Sequence, residues 1–183
     1  MTYAKSQATI EDLYHVPENG KAEIVNGALV VREPTGAMPG RAGFRITVSL
    51  SQMESKLNGR AYPDNVGFIV DLPNRQSFSP DTAFHIGEHT GMKFLEGAPI
   101  FAVEVRSESD YGKSAENEMA LKRSDYFAAG TLVVWDVDLL SDDVVKIYRA
   151  SDPENPTIYR RGEIAEAEPA VPAWRMPVDE LFE

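Results

Sequence analysis

The amino-acid sequence predicts an α/β protein in which helices pack on a mixed central sheet that carries additional β-hairpins. Two long segments show the apolar spacing or the end signals of helices, and short β-branched or aromatic runs lie between and after them. The dipeptide Asn26-Gly27 separates two more such runs and predicts a tight hairpin turn. Because helices alternate with groups of strands in this order, we expect the helices to cover the sheet.

Four helical segments are predicted. The capping-box spacing of Thr9-Ile10-Glu11-Asp12 indicates a helix start, and Asn58-Gly59 and Gly130 are typical helix ends. Between residues 46 and 57, apolar side chains recur at intervals of four, three and four residues, as one helix face requires. The predicted helices run from about Thr9 to before Pro17, from about Gly40 to Asn58, from Ser114 to Ala129, and as a final turn from Val178 to Phe182.

The predicted strands are short apolar runs bounded by proline, glycine or asparagine. They are Ala22 to Val25 and Ala28 to Val31 in the hairpin, then Val66 to Asp71, Thr82 to Ile86, Pro99 to Ser107, Thr131 to Val137 and Val144 to Arg149. The proline-containing tail after residue 150 is predicted to be rich in loops, with one or two edge strands around Thr157 to Arg160.

Composition restricts the possible classes of protein. The 183 residues, 43% of them hydrophobic, fit one globular domain spanning residues 1–183. No apolar run approaches the roughly 18 residues that span a bilayer, and the N-terminal sequence lacks the pattern of a signal peptide, so we expect a cytoplasmic protein without a membrane partner. Since the chain has no cysteine and only three histidines, a bound metal would have oxygen ligands.

The net charge of -11 counts against a protein that grips nucleic acid through a broad basic surface. A local basic face on the acidic protein remains compatible with the sequence. The residues that would form it are Lys21, Arg41, Arg45, Lys56 and Arg60.

Polar residues at three places carry the candidate chemistry. Glu104 lies inside the most apolar predicted strand, where an ionised carboxylate is costly unless a cation or hydrogen bonds compensate it. Side chains alternate along a strand, so Glu104 and Arg106 share one face. If the strand that holds Asp81 lies beside the strand that holds Glu104, we expect Asp81 and Glu104 to converge at the edge of the sheet. Lys122 and Tyr126 lie one turn apart on the following helix.

Two carboxylates and an ammonium suit metal-assisted cleavage of a phosphodiester. Magnesium takes one or two protein carboxylates and keeps waters and phosphate oxygens as its other ligands. The ion activates water and offsets charge on the phosphoryl group, and Lys122 would steady the attacking water. A structural ion pair of Glu104 with Arg106 or Lys122 is an equal alternative from the residues alone. Glu23 by itself favours a cross-strand salt bridge, and Tyr126 a core position.

In these residues the chain resembles the Uma2 family, also known as DUF820, a branch of the restriction-endonuclease-like PD-(D/E)XK superfamily. The resemblance runs from about Thr9 to Phe182. Its motifs are Ala22-Glu23-Ile24-Val25-Asn26-Gly27, Pro80-Asp81, Glu104-Val105-Arg106-Ser107, and the stretch from Lys122 through Tyr126, Gly130 and Trp135 to Asp138.

The resemblance implies a restriction-endonuclease-like core and a Mg²⁺-dependent (or Mn²⁺-dependent) DNA endonuclease that forms a homodimer. By the resemblance, Asp81 and Glu104 are catalytic acids that bind the metal, and Lys122 is the catalytic lysine. Glu23, Arg106 and Tyr126 are the supporting residues. The rival interpretations are a catalytically silent nucleic-acid-binding module and a regulatory or oligomerising domain with structural acids.

The chain departs from the family's pattern in two places. Arg106 stands where the wider superfamily has a lysine, and an arginine does not act as a base at ordinary pH. The family often opens its first long helix with a histidine, whereas this chain has Gly40, Arg41 and Gly43 there. We therefore expect catalysis to depend on Lys122, with Arg41 as a substitute phosphate contact.

Overall fold

Helices flank mixed sheets in the computed structural model, which describes residues 7–16 and 20–183. The helices are α1 (Ile10–Tyr14), α2 (Ala37–Ser51), α3 (Glu54–Leu57) and α4 (Lys113–Ala128), followed by a 3₁₀-helix (Val178–Phe182). The strands are β1 (Ala22–Val25), β2 (Ala28–Val31), β3 (Arg60–Pro63), β4 (Phe68–Leu72), β5 (Arg75–Phe78), β6 (Thr82–His85), β7 (Leu95–Glu96), β8 (Phe101–Val105), β9 (Val133–Val137), β10 (Val145–Arg149), β11 (Asp152–Tyr159), β12 (Ile164–Ala167) and β13 (Val171–Pro177). This architecture confirms the predicted α/β class.

The strands form two larger sheets and one small one. A six-stranded sheet has the order β11-β10-β9-β8-β6-β3, and a five-stranded sheet has the order β2-β1-β5-β4-β7. Strands β12 and β13 pair separately. Both larger sheets are mixed, because β8 runs parallel to β9 and β4 runs parallel to β7 while their other pairs are antiparallel.

Strand β8 separates two apolar clusters, as its alternating sequence predicts. Phe101 and Val103 point into the larger cluster, with Ile46 of α2 and Trp135 of β9. Ala102 points the other way, into a cluster that includes side chains of α4. Because Glu104 follows this second direction, the alternation of the strand directs its carboxylate toward α4.

The first hairpin forms as predicted. Asn26 and Gly27 both have positive φ values, 50° and 71°, as a type I′ turn requires. Val25 of β1 then pairs with Arg75 of β5, which joins the hairpin to the five-stranded sheet. Glu23 is therefore held on a paired strand rather than on a loop.

The predicted helices are confirmed with one correction. Helix α1 carries the full capping box of Thr9 and Asp12. The single helix predicted from Gly40 to Asn58 is instead α2 and α3, because the backbone N–H of Met53 bonds to the carbonyl of Leu50 in a tighter turn between them. Asn58 ends α3 with a φ of 49°, as predicted.

The predicted strands are confirmed, but the prediction missed several others. Strands β3, β5 and β7 lie where no strand was expected, and the tail contains β11 to β13 rather than mainly loops. Strand β11 accommodates Pro153 and Pro156 because it is an edge strand, where a missing backbone N–H need not break a ladder. Among the described residues, no helix is long and apolar enough to cross a membrane.

Candidate active site

Asp81 and Glu104 lie on neighbouring strands of the six-stranded sheet. Asp81 directly precedes β6, which pairs antiparallel with β8. The backbone N–H of Asp81 donates to the carbonyl of Val103 (3.1 Å), and the N–H of Val105 donates to Asp81 Oδ2 (2.7 Å). The backbone on both sides of Glu104 thus holds Asp81 beside it, in the arrangement that the sequence predicts.

Helix α4 places a lysine and a tyrosine on Glu104. Lys122 Nζ lies 2.8 Å from Glu104 Oε1 and 3.0 Å from Glu23 Oε1. The Tyr126 hydroxyl donates to the same Glu104 oxygen at 2.7 Å. The tyrosine ring stacks on Phe78 with 4.0 Å between ring centroids, so it is also a core residue. Glu104 Oε2 has no protein donor among the described residues.

Glu23 is completely buried behind Lys122. Its Oε1 accepts the backbone N–H of Ser79 (2.8 Å) in addition to Lys122, and its Oε2 accepts Arg75 (3.0 Å). Arg75 also forms a salt bridge with Asp125 of α4, with 2.8 Å between Nε and Oδ2. Glu23 therefore makes the predicted cross-strand salt bridge and also contacts the predicted catalytic lysine.

Lys21 belongs to the same charged cluster as Asp81, Glu104, Lys122 and Glu23, a placement that the sequence did not predict. Its Nζ lies 2.6 Å from Asp81 Oδ1 and 2.7 Å from Asp64 Oδ1. Lys21 stands two residues before Glu23, so strand alternation directs both side chains to the same side, and that spacing is the signal available in the sequence. Asp64, in the turn after β3, has no such signal because β3 was not predicted.

Arg106 forms ion pairs with acids other than Glu104. Its Nε and Nη2 donate to the two carboxylate oxygens of Asp136, each at 2.8 Å, and the guanidinium also bonds to Glu116. The side chain is buried against β9 and α4. The predicted alternative of a Glu104–Arg106 ion pair is absent from the described residues, whereas the Glu104–Lys122 pair is present.

Three other residues of the predicted basic face are also already bonded within the protein. Arg41 donates to the backbone carbonyl of Glu183 at 2.8 Å, and Arg45 pairs with the Glu183 side chain at 2.8 Å. Lys21 is occupied by Asp64 and Asp81. These three residues therefore do not form a free basic face in the described structure.

Comparison with known proteins identifies the family of the chain. The Uma2 family model, described as "Putative restriction endonuclease", matches residues 8–179. The chain belongs to the Uma2 family. No curated protein shows significant similarity to it.

The fold of this Uma2 protein is shared with a solved structure. That structure is "a putative nuclease belonging to DUF820" from Anabaena variabilis ATCC 29413, with a TM-score of 0.71 and 16% sequence identity. The match covers 96% of this chain and 97% of the other. At this identity, the likeness establishes the common fold.

Burial and neighbouring charges separate the two glutamates of the Uma2 site. Burial raises the pKa of Glu104, and Asp81 adds to the rise, while Lys122 opposes it. Burial acts in the same direction on Glu23, but Lys122 and Arg75 outweigh it and lower the pKa of Glu23 to about 2. Glu23 is thus a fixed anion, whereas Glu104 lacks full compensation for its charge.

The donor set fits a hard divalent cation. Among the described residues, no group of three or more histidine, aspartate or glutamate side chains could hold a metal. Asp81 and Glu104 supply two carboxylates, which suffices for Mg²⁺ when waters and phosphate oxygens complete the coordination. An added cation would also compensate the buried charge of Glu104, whose Oε2 is available.

Proposed function

We propose that this protein is a Mg²⁺-dependent (or Mn²⁺-dependent) endonuclease that hydrolyses DNA phosphodiester bonds. The convergence of Asp81 and Glu104 from adjacent strands, with Lys122 at 2.8 Å from Glu104, is the observation that carries the proposal. Membership in a family described as "Putative restriction endonuclease" supports the reaction and DNA as its substrate.

In this proposal Asp81 and Glu104 hold the ion and Lys122 acts on the attacking water. A bound divalent ion supplies Lewis-acid stabilisation of the phosphoryl group and activation of water. The Lys122 ammonium orients the water and stabilises negative charge that develops on the phosphate. Tyr126 fixes the Glu104 carboxylate through a hydrogen bond to Oε1, so Oε2 is the oxygen that would hold the ion.

Glu23 positions Lys122 without touching the substrate. It holds the amine from the buried side, and Arg75 and the N–H of Ser79 hold Glu23 in turn. Since each of these contacts is buried, the amine has a defined direction before substrate arrives. Such preorganisation is the main protein contribution to charge stabilisation.

We also propose that the enzyme acts as a homodimer, because two-fold related sites can address both strands of a duplex. The resemblance to restriction-type nucleases motivates this assembly. Sedimentation of the native chain with and without a DNA duplex tests it, with a mass of two protomers as the expected result and a single protomer on DNA as the contrary one.

Cleavage of supercoiled plasmid in Mg²⁺ or Mn²⁺ tests the proposed reaction. Asp81→Asn, Glu104→Gln and Lys122→Gln should each lose at least about 100-fold in rate, the usual effect of removing one group that stabilises the transition state. Lys93→Gln is the matched control, because Lys93 is exposed in the loop before β7 and contacts none of Asp81, Glu104 and Lys122. Equal rates for native and Glu104→Gln proteins would refute the assignment.

One observation favours a catalytically silent binding module instead. Every described acid of the site already has a lysine or arginine partner, as a purely structural network would. This alternative predicts DNA binding without cleavage under all divalent ions. It also predicts that Lys122→Gln lowers stability and leaves DNA binding unchanged.

A further inference from the structure

The oxygen that Asp81 would offer to a metal is covered by an internal cation. Asp81 Oδ2 accepts the backbone N–H of Val105, which leaves Oδ1 for a ligand role, and Lys21 Nζ lies 2.6 Å from that Oδ1. The contact is largely shielded, with 16% of the Lys21 side chain and 19% of the Asp81 side chain exposed. A divalent ion bonded to the same oxygen at roughly 2.1 Å would meet this ammonium at close range.

Lys21 already touches a second acid to which it can move. Asp64 Oδ1 lies 2.7 Å from Lys21 Nζ and is itself fixed by the backbone N–H of Asn65 at 2.7 Å. The Asp64 side chain is 38% exposed, so it lies on the solvent side of the cluster. If the Lys21 ammonium moves away from Asp81, it therefore still has Asp64 as an anionic partner.

We propose that the Lys21 ammonium occupies the metal position on Asp81 in the ion-free protein and moves fully onto Asp64 when a divalent ion binds. This inference rests on the proposed metal-dependent function. It makes Lys21 a positioning residue, which holds Asp81 in place between reaction cycles and sets the ion concentration that the site requires. Asp64 is then the acceptor of Lys21 rather than a metal ligand.

Mn²⁺ titration calorimetry without DNA tests the exchange through a double-mutant cycle. Lys21→Gln should tighten Mn²⁺ binding by about tenfold, within the range that outer-shell partners exert on metal affinity. Asp64→Asn should weaken it by about tenfold in the native background, because Lys21 then has Asp81 as its remaining partner. In the Lys21→Gln background, the same Asp64→Asn change should have less than about a twofold effect.

Two results of the cycle would overturn the exchange. Unchanged or weaker Mn²⁺ binding by Lys21→Gln would show that Lys21 does not compete with the ion. Equal weakening by Asp64→Asn in both backgrounds would make Asp64 a direct ligand. Lys93→Gln, with the same change in net charge, should leave the Mn²⁺ affinity within about twofold of native and so exclude a general charge effect.

A readout on the native chain keeps the test independent of whether the variants fold. In a crystal structure with Mn²⁺, Lys21 Nζ should bond to Asp64 and lie more than about 4 Å from Asp81 Oδ1, beyond salt-bridge distance. An ion on Asp81 with Lys21 still bonded to Oδ1 overturns the exchange but keeps the proposed function. Absence of Mn²⁺ binding by both native and Lys21→Gln proteins overturns the proposed function as well.

Discussion

At the scale of single residues, the site depends on how each charge is compensated. Glu23 has two cations and a backbone N–H on its carboxylate, so its charge is fixed and its role is to hold Lys122. Glu104 has one lysine and one tyrosine on a single oxygen, and the described part of the chain places no donor on its other oxygen. This difference supports the proposed positioning role of Glu23 and the proposed ligand role of Glu104.

Neutralising Glu23 should reduce both stability and cleavage. Glu23→Gln removes the fully buried anion that Arg75 and Lys122 share, so we expect a loss of about 3 kcal/mol in unfolding free energy and at least about a tenfold loss in cleavage rate. Urea unfolding and plasmid cleavage measure the two effects. Glu33→Gln, at an exposed position of the chain, is the control and should change neither.

The stability cost of Glu23→Gln should depend on pH. The pKa of Glu23 is lowered to about 2 in the fold, below the unfolded value of about 4.3. A depressed pKa contributes stability above the unfolded pKa, and this is lost as pH falls through the folded pKa. The difference in unfolding free energy between the native protein and Glu23→Gln should therefore shrink as the pH falls from about 5 to about 2. A difference that stays constant over this range would contradict the ionic role of Glu23.

At the scale of secondary-structure elements, the sequence predicts those features that interactions between neighbouring residues determine. The Asn26-Gly27 turn, the capping box at Thr9 and the alternation of β8 each follow from neighbouring residues. The pairing of Lys21 with Asp64 depends instead on a contact between distant segments, which sequence periodicity does not report. The convergence of Asp81, Glu104 and Lys122 was expected from strand alternation and from the family resemblance, and the motifs that carry this resemblance include neither Lys21 nor Asp64.

The environment of Arg106, which directly follows β8, predicts the result of placing a lysine at this position. The guanidinium makes two parallel hydrogen bonds to Asp136, a geometry that a lysine ammonium cannot reproduce. Arg106→Lys should therefore lose about 2 kcal/mol of stability, the size of one strong hydrogen bond to a charged group. It should not raise the cleavage rate. Urea unfolding and plasmid cleavage test this, and faster cleavage would place residue 106 in the catalytic machinery.

At the scale of the whole molecule, the net charge of -11 opposes contact with DNA. The two lysines at the proposed site are already paired with acids, and Arg41 and Arg45 bond to Glu183. The cations beside the proposed site are therefore already bonded within the protein rather than directed at a phosphate. A divalent ion shared by protein and substrate would provide the missing attraction.

Binding of a DNA duplex should accordingly require a divalent ion. In Ca²⁺, which serves here as a trial ion that takes oxygen ligands, we expect at least about a tenfold gain in affinity over a chelator, measured by fluorescence anisotropy at constant ionic strength. The Asp81→Asn/Glu104→Gln double variant should lose this gain. Equal affinity for DNA in Ca²⁺ and in chelator would show that DNA binding does not depend on an ion at Asp81 and Glu104.

Anomalous diffraction from crystals of the native protein soaked in Mn²⁺ tests the central claim most directly. The account predicts a Mn²⁺ peak at roughly 2.1 Å from oxygens of both Asp81 and Glu104, with Lys122 retained beside Glu104. A peak elsewhere, or no peak at a concentration that saturates binding in solution, would contradict the claim that these two acids share an ion.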